Sequence, residues 1–160
     1  MKNRSTLIRE VLSPQRIRLN QQASSKKKAL ELCAGVFAES DSELNQDVIL
    51  EALSAREKLG STALEHGVAL PHCRISGCTR PLCALITLTE DVDFDARDQH
   101  LSNMLCALIV PEDALDEHLE ILAALAELLS APDIRQSIRS AHNNNELYLK
   151  ITESKYIDKN

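Results

Sequence analysis

Aromatic residues are scarce in this chain: they make up 2% of its 160 residues, and tryptophan is absent. A packed core must therefore be built from leucine, isoleucine, valine and alanine. The hydrophobic share of 44% is typical of a globular protein and excludes a disordered one. The length suits one domain with a core of ordinary size.

Long apolar runs are also lacking. The longest uninterrupted one, Met104 to Val110, is far too short to span a bilayer. No apolar stretch of a secretory signal is visible between Met1 and Pro14. The five cysteines, an odd number, indicate reduced thiols. These features predict a cytoplasmic protein that does not insert into a membrane.

Positive charge is in deficit, with a net charge of −6. Binding to nucleic acid through the phosphate backbone needs clustered lysine and arginine, so we expect no nucleic-acid partner. The only dense basic run, Lys26–Lys28, is interpreted as the solvated face of a helix. The spacing of Cys73, Cys78 and Cys83 is not that of a zinc site, and we expect neither a metal nor a cofactor.

Apolar periodicity alternates between strand and helix patterns, which predicts a single α/β domain with a small mixed sheet flanked by helices. The run Met104 to Val110 is apolar on both parities, as in a strand covered on both faces. Leu44 and Ile49 have the spacing of a hydrophobic staple around Asn45. The patterns predict strands at 16–19, 68–70, 82–88 and 104–110, and helices beginning after Ser24 or Ser25, after Asn45, near Leu115, at Pro132 and after Asn143–Asn145.

His72 is the most informative candidate residue. Pro71 restricts its own backbone and that of Leu70, so we expect His72 on a fixed backbone at the end of the strand 68–70. A neutral imidazole there is able to accept a phosphoryl group or to bind a metal, although such a histidine is more often a core or surface residue. Arg56 and the hydroxyl groups of Ser61 and Thr62 favour phosphate chemistry.

The segment from Arg56 to Cys73 resembles the signature of the type 2 enzyme IIA family of the bacterial phosphoenolpyruvate-dependent phosphotransferase system. Glu57 occupies the acidic position, and Val68 to His72 match the ending of hydrophobic, Ala, hydrophobic, Pro and His. The resemblance extends over nearly the whole chain and is greatest to the nitrogen-regulatory branch. It implies a single domain over residues 7–150, with residues 1–6 and 151–160 as terminal extensions.

The resemblance also implies roles for individual residues. His72 is then the phosphoryl acceptor, and His118, in the first turn of the third predicted helix, assists transfer by donating a hydrogen bond to the phosphoryl oxygens. Spacing alone instead favours a partly buried histidine held by the acidic residues around it. Arg56 neutralises phosphate charge. Ser61 and Thr62 are weaker phosphate-binding candidates, equally explained as turn residues after Gly60.

Other residues near the motif have simpler explanations. Cys73 stands where the family often has glycine, and it is either a redox-active thiol or a small residue that fits. His66, His100 and His142 lack comparable support, and we expect His66 at the surface.

Two branches of the family share the acceptor histidine. A regulator receives its phosphoryl group from a phosphocarrier protein of the HPr/NPr type and acts on partners such as potassium transporters or sensor kinases. A transport component passes the group to a fructose- or mannitol-type sugar permease. The N-terminal pattern, from Leu7 to Leu30, favours the regulator, and a non-phosphorylated binding module is the rival from another class.

The surface that binds partner proteins is expected around His72. Leu64, Val68 and Leu70 are predicted to form an apolar surface around His72. The acidic residues of 112–117 are predicted to make that surface negative, so the phosphocarrier would need an apolar face with a basic fringe.

Overall fold

A computed structural model describes residues 3–154, apart from the side chains of Ser5 and Glu117. Helix α1 begins at Arg4 and helix α6 ends at Thr152, so both pass the bounds of 7 and 150 that we expected for the domain. The outer parts of the two predicted extensions, 1–2 and 155–160, lie outside the described residues. The elements in chain order are α1 Arg4–Val11, a 3-10 turn Pro14–Arg16, β1 Ile17–Gln21, α2 Lys26–Ser40, α3 Gln46–Leu59, β2 Val68–Ala69, β3 His72–Ile75, β4 Leu82–Val92, β5 Ser102–Pro111, α4 Glu117–Leu129, α5 Pro132–Arg139 and α6 Asn144–Thr152.

The strands form one mixed sheet of five strands in the order β1-β4-β5-β2, with β3 also paired to β5. β4 and β5 are antiparallel, whereas β1 runs parallel to β4, and β2 and β3 run parallel to β5. β2 and β3 therefore form one interrupted edge strand along β5, and the interruption falls at Leu70 and Pro71. The predicted α/β fold with a small mixed sheet is confirmed.

Helices cover both faces of this sheet. Helices α2 and α3 pack on one face over Ala84, Ile86 and Ile109. Helices α1, α4, α5 and α6 pack on the other, over Leu85 and other residues of opposite parity. All residues from Met104 to Val110 are buried, which confirms that β5 is covered on both faces.

Side-chain caps explain where three helices begin. The side chains of Ser25, Asn45 and Asn143 accept hydrogen bonds from backbone N–H groups in the first turns of α2, α3 and α6. Leu44 and Ile49 are buried in the same cluster, as a hydrophobic staple requires. The predicted starts of these helices, and of α5 at Pro132, are confirmed to within one or two residues.

Several details of the sequence prediction were wrong. Arg16 is not in the first strand; its buried guanidinium donates to the carbonyls of Cys83 and Val11 from the 3-10 turn. The helix near Leu115 begins only at Glu117, so Leu115 lies before it and is 79% exposed. Helix α1 was not predicted at all, although its Leu7, Ile8 and Val11 are buried.

The basic run at the start of α2 is not wholly a solvated face. The side chain of Lys26 is only 24% exposed, and its ammonium group binds Glu57 and Asp95. It also lies 5.4 Å from the centre of the Phe94 ring. Lys26 therefore belongs to a charged network at the end of α3.

Two further features concern the cysteines and the length of the helices. All five cysteines are free thiols. Between residues 3 and 154 no helix combines the length and the apolar composition that crossing a membrane requires.

Candidate functional site

His72 is the first residue of β3, not the last residue of the preceding strand as we predicted. It pairs with Leu108 of β5, and the carbonyl of Pro71 accepts from the N–H of Leu108 at 2.9 Å. Pro71 thus separates β2 from β3 while the chain stays in the sheet. The backbone of His72 is therefore fixed by its pairing with the interior strand β5, and a fixed backbone is what the sequence predicted.

The imidazole ring of His72 is oriented by one hydrogen bond. Its Nδ1 atom lies 2.8 Å from the carbonyl oxygen of Leu70. Because a carbonyl oxygen only accepts, Nδ1 carries the proton, and Nε2 is left as the nitrogen with a free lone pair. The ring is half-buried, so Nε2 is the atom available to a reactant from the cleft.

The surroundings of His72 favour the neutral ring. Burial lowers the pKa of His72 below its ordinary value, and the charges of Arg56 and His118 lower it further. The hydrogen bond to Leu70 and the charge of Glu57 act in the opposite direction but do not outweigh burial. An uncharged nucleophile is therefore present at lower pH than in a free histidine.

His72 lies in a cleft of about 600 Å³ between α3, α4 and the β3 edge of the sheet. The cleft brings together two of the other predicted site residues, Arg56 and His118. Apolar side chains form most of the remaining lining: Ala52, Ala55, Leu59, Leu108, Val110 and Leu122. A charged group in this cleft is thus close to the Arg56 guanidinium and partly shielded from water, which strengthens electrostatic interactions.

Arg56 lies in the last turn of α3. Its Nη1 atom donates to the carbonyl of Gly60 at 2.9 Å, which holds the guanidinium beside the end of the helix. Its other N–H donors make no hydrogen bond within residues 3–154 and are available to phosphate oxygens in the geometry that a guanidinium offers.

His118 is the second residue of α4, as predicted for a residue at a helix N-terminus. Its Nδ1 atom contacts the carbonyl of Leu115, so Nδ1 carries a proton. Its Nε2 atom lies 3.4 Å from Nη2 of Arg74 and faces that guanidinium as an acceptor. Donation from Nε2 to a phosphoryl oxygen therefore requires the cationic ring or a change of tautomer.

Arg74 is a site residue that the sequence interpretation missed. It lines the same cleft and lies two residues after His72 in β3, with Val110 as its partner on β5. Alternate residues of a strand point to the same face, so the spacing of His72 and Arg74 was the signal that could have revealed it. Arg74 supplies a second guanidinium on the His118 side of the cleft.

Ser61 and Thr62 are not among the residues that line the cleft. The hydroxyl group of Thr62 donates to Glu57 at 2.5 Å, and Thr62 is buried. The hydroxyl group of Ser61 donates to the carbonyl of Phe94 and accepts from the N–H of Ala63. These contacts favour the alternative that both are structural residues of the turn after Gly60.

The remaining candidates lie apart from this chemistry. Burial raises the pKa of the Cys73 thiol to about 12, so the thiol is protonated and a poor nucleophile at neutral pH. His66 and His142 are exposed, and His100 pairs with Asp98 in a surface loop. No group of three or more His, Cys, Asp or Glu side chains within residues 3–154 is arranged to hold a metal ion.

The chain is similar to known proteins over nearly its whole length. Residues 10–154 match the model of a family described as "Phosphoenolpyruvate-dependent sugar phosphotransferase system, EIIA 2". A nitrogen regulatory protein of Pseudomonas aeruginosa is 43% identical over 141 residues, which are 88% of this chain and 92% of that protein.

Solved structures agree with this similarity. The crystal structure of the nitrogen regulatory protein IIA-Ntr from Neisseria meningitidis has a TM-score of 0.82 at 38% identity and covers 91% of this chain and 99% of its own. The IIA mannitol structure from Escherichia coli shares the fold, with a TM-score of 0.73 at 17% identity over 88% of this chain and 98% of its own.

A mixed sheet with a histidine cleft at its edge, together with these matches, defines the class of protein. The chain belongs to the type 2 enzyme IIA family of the phosphoenolpyruvate-dependent phosphotransferase system. Its similarity to nitrogen regulatory proteins confirms the branch that the sequence resemblance indicated.

Proposed function

We propose that the chain is a phosphohistidine-bearing regulatory protein of a nitrogen-related phosphotransferase relay. It accepts a phosphoryl group from a phosphocarrier protein of the HPr/NPr type on His72, and its phosphorylation state regulates partner proteins. The observation that carries the proposal is the free Nε2 atom of His72 in a cleft that also contains Arg56 and His118. The similarity to nitrogen regulatory proteins supports the regulatory branch.

The chemical step is an exchange of one P–N bond for another. The lone pair on Nε2 of His72 attacks the phosphorus atom of the phosphocarrier's phosphohistidine. The P–N bond to the phosphocarrier breaks, and its electron pair stays on the departing ring nitrogen. Nδ1 of His72 keeps its proton and continues to donate it to the Leu70 carbonyl. The product ring therefore carries one proton and one phosphoryl group.

The cleft contributes position and charge. Phosphoryl transfer needs little covalent chemistry from the protein, so alignment and electrostatic stabilisation carry most of the rate. Arg56 approaches from the end of α3, and Arg74 and His118 approach from the α4 side. The guanidinium groups of Arg56 and Arg74, and the ring of His118 in its cationic form, offset the charge on the transferring group as it moves between the two proteins.

The test is phosphorylation of the wild-type chain. Incubation with phosphoenolpyruvate, enzyme I and the phosphocarrier should add the mass of one phosphoryl group. A chain that gains no mass under these conditions is an inert binding module, and the proposal is then wrong.

The alternative is an enzyme IIA component of a fructose- or mannitol-type sugar transport system. The description of the matched family and the shared fold of the mannitol protein favour it. Transfer from the phosphorylated chain to the IIB component of a sugar permease distinguishes the two. Rapid transfer supports the transport role, and its absence supports the regulator.

We expect the acceptor to remain active at mildly acid pH. The neutral ring is the nucleophile, and it persists above the pKa of His72, which burial lowers from the ordinary value of about 6.5. An NMR titration of the ring should give a midpoint below that value. Because the charge of Arg56 also lowers the pKa, Arg56→Gln should raise the midpoint; a wild-type midpoint above the ordinary value contradicts this prediction.

The surface around the cleft differs from the one predicted. Val68 and Leu70 are buried and Leu64 is partly buried, so these residues offer no partner surface. The exposed apolar side chains near the cleft are instead those of Leu59, Leu115 and Leu119, at 85%, 79% and 56% exposure. Residues Glu112, Asp113 and Asp116 are exposed beside them, which supports a partner with an apolar face and a basic fringe.

Phosphorylation is expected to regulate partners by local charge. The phosphoryl group adds about two negative charges to a surface that is already acidic, which changes the cost of covering it with a partner. A regulatory target should bind the two states with different affinity, and His72→Asp should partly imitate the phosphorylated state. Amide hydrogen exchange should change only around the cleft. Equal binding of both forms, or altered exchange in distant helices such as α6, contradicts this mechanism.

A further inference from the structure

A buried carboxylate lies behind the histidine cleft. The side chain of Glu57 is only 5% exposed. Its Oε1 atom accepts from the N–H of Thr62 at 3.1 Å and from Nζ of Lys26 at 3.2 Å, and its Oε2 atom accepts from the hydroxyl of Thr62 at 2.5 Å. A buried charge is costly unless it is paired and hydrogen-bonded, and these three donors satisfy it.

The hydrogen bonds continue from Thr62 to the catalytic ring. The carbonyl of Thr62 accepts from the N–H of Leu70 at 2.9 Å, and Ala63 and Ala69 form an antiparallel bridge beside it. The carbonyl of Leu70 then accepts from Nδ1 of His72 at 2.8 Å. The orientation of the ring thus depends on where the Leu70 peptide lies, and that peptide is tied to Glu57 through Thr62.

We propose that Glu57 is a positioning residue for His72: through Thr62 and Leu70 it fixes the tautomer and orientation that present Nε2 to the cleft. Glu57 itself does not line the cleft and so does not contact the phosphoryl group. This inference rests on the proposed function, because it assigns a role in the same phosphoryl transfer.

The position of Glu57 on α3 links these hydrogen bonds to Arg56, the proposed phosphate-binding residue. Arg56 and Glu57 are consecutive, so they point about 100° apart around the helix. Arg56 faces the cleft, whereas Glu57 faces the 61–64 segment. One turn of α3 therefore positions both the Arg56 guanidinium and Glu57, which supports His72. The guanidinium and the His72 ring are thus held at a fixed distance and orientation from each other.

Lys26 stabilises the buried carboxylate of Glu57. Burial disfavours its ammonium group, but hydrogen bonds and charges from Asp95 and Glu57 outweigh burial and raise the pKa of Lys26. Hydrogen bonds to an ionised carboxylate are shorter and stronger than those to a neutral acceptor. The ionised form of Glu57 thus holds Thr62 more firmly than an amide would.

The experiment compares four variants of the full chain: Glu57→Gln, Thr62→Val, Thr62→Ser and Asp95→Asn. Thr62→Val removes only the hydroxyl donor, and Thr62→Ser restores it. Asp95→Asn is the matched control, because the 72% exposed Asp95 binds the same lysine from outside the chain of hydrogen bonds, and asparagine tolerates its positive φ of 58°. The two readouts are the rate of phosphorylation by the phosphocarrier and the ¹⁵N resonances of the His72 ring.

We expect Glu57→Gln and Thr62→Val to slow phosphorylation about tenfold, because a small misplacement of a reacting atom carries a large kinetic cost. Their ring resonances should shift toward a mixture of the two neutral tautomers. Thr62→Ser and Asp95→Asn should stay within about twofold of the wild type, as the hydroxyl donor and the buried pair are retained.

Folded Glu57→Gln and Thr62→Val proteins that react at the wild-type rate overturn the inference. Slower reaction with unchanged ring resonances also overturns it, since Glu57 would then act only on stability or on Arg56. If Glu57→Gln does not fold, the comparison of Thr62→Val with Thr62→Ser decides. A wild-type chain that is not phosphorylated on His72 defeats the proposed function instead, and the ring resonances still test the positioning role.

Discussion

His72→Ala is expected to abolish phosphorylation of the chain while leaving the fold intact. The substitution removes the Nε2 atom that we propose as the nucleophile, and the half-buried ring otherwise contributes its hydrogen bond to the Leu70 carbonyl. Intact mass after incubation with phosphoenolpyruvate, enzyme I and the phosphocarrier measures the loss. Amide spectra of the variant should match those of the wild type outside the cleft.

A second histidine provides the matched control. His142 is exposed between α5 and α6, so His142→Ala should be labelled like the wild type. The wild-type label should be labile in acid and stable in alkali, as a P–N bond is. Labelling that survives His72→Ala, or that maps to His66 or His118, contradicts the assignment.

Arg56→Gln and His118→Ala should each reduce the rate of phosphoryl transfer by about 10²–10³, the usual cost of losing one donor that stabilises charge in the transition state. Both side chains line the cleft, and in our proposal the acceptor is His72. The label should therefore still appear on His72, but slowly. Single-turnover transfer in both directions, from and back to the phosphocarrier, measures the effect.

Arg97→Gln is the control for loss of a positive charge, because Arg97 is exposed in the loop between β4 and β5. It should transfer at nearly the wild-type rate. Should His118→Ala also transfer at that rate, His118 has only a structural role, and the guanidinium of Arg74 beside it becomes the main donor on the α4 side.

The sequence was sufficient where the signal is local. The caps at Ser25 and Asn45 depend on side chains within three residues; Asn45 was predicted, and Ser25 was one of two predicted candidates. The last helix was predicted to follow Asn143–Asn145, and Asn143 caps it. The burial of β5 on both faces followed from a run that is apolar on both parities. Helix α1 was missed because its apolar residues occupy only two turns, too short a pattern to distinguish from a loop.

Distant contacts explain most of the errors. Leu115 has helical spacing with the residues that follow, yet the helix begins only at Glu117 and leaves Leu115 exposed before it. Val68 and Leu70 are close to His72 in sequence but face the core. Lys26 was assigned to solvent because its partners, Glu57 and Asp95, are more than thirty residues away.

The sequence by itself determined the family, the α/β fold and the identity of the acceptor candidate, because each depends on local patterns. A contiguous motif, Pro71 and His72 after Val68 to Leu70, indicates the family and the acceptor candidate, and apolar periodicity indicates the fold. Only the tertiary structure decided which nitrogen of His72 is free, that Arg74 approaches His118, and that Thr62 serves Glu57 and not the cleft. The physical reason is that hydrogen-bond geometry and burial depend on which residues the sheet and helices bring together. Spacing in the sequence determines which residues are neighbours only within a single strand or helix.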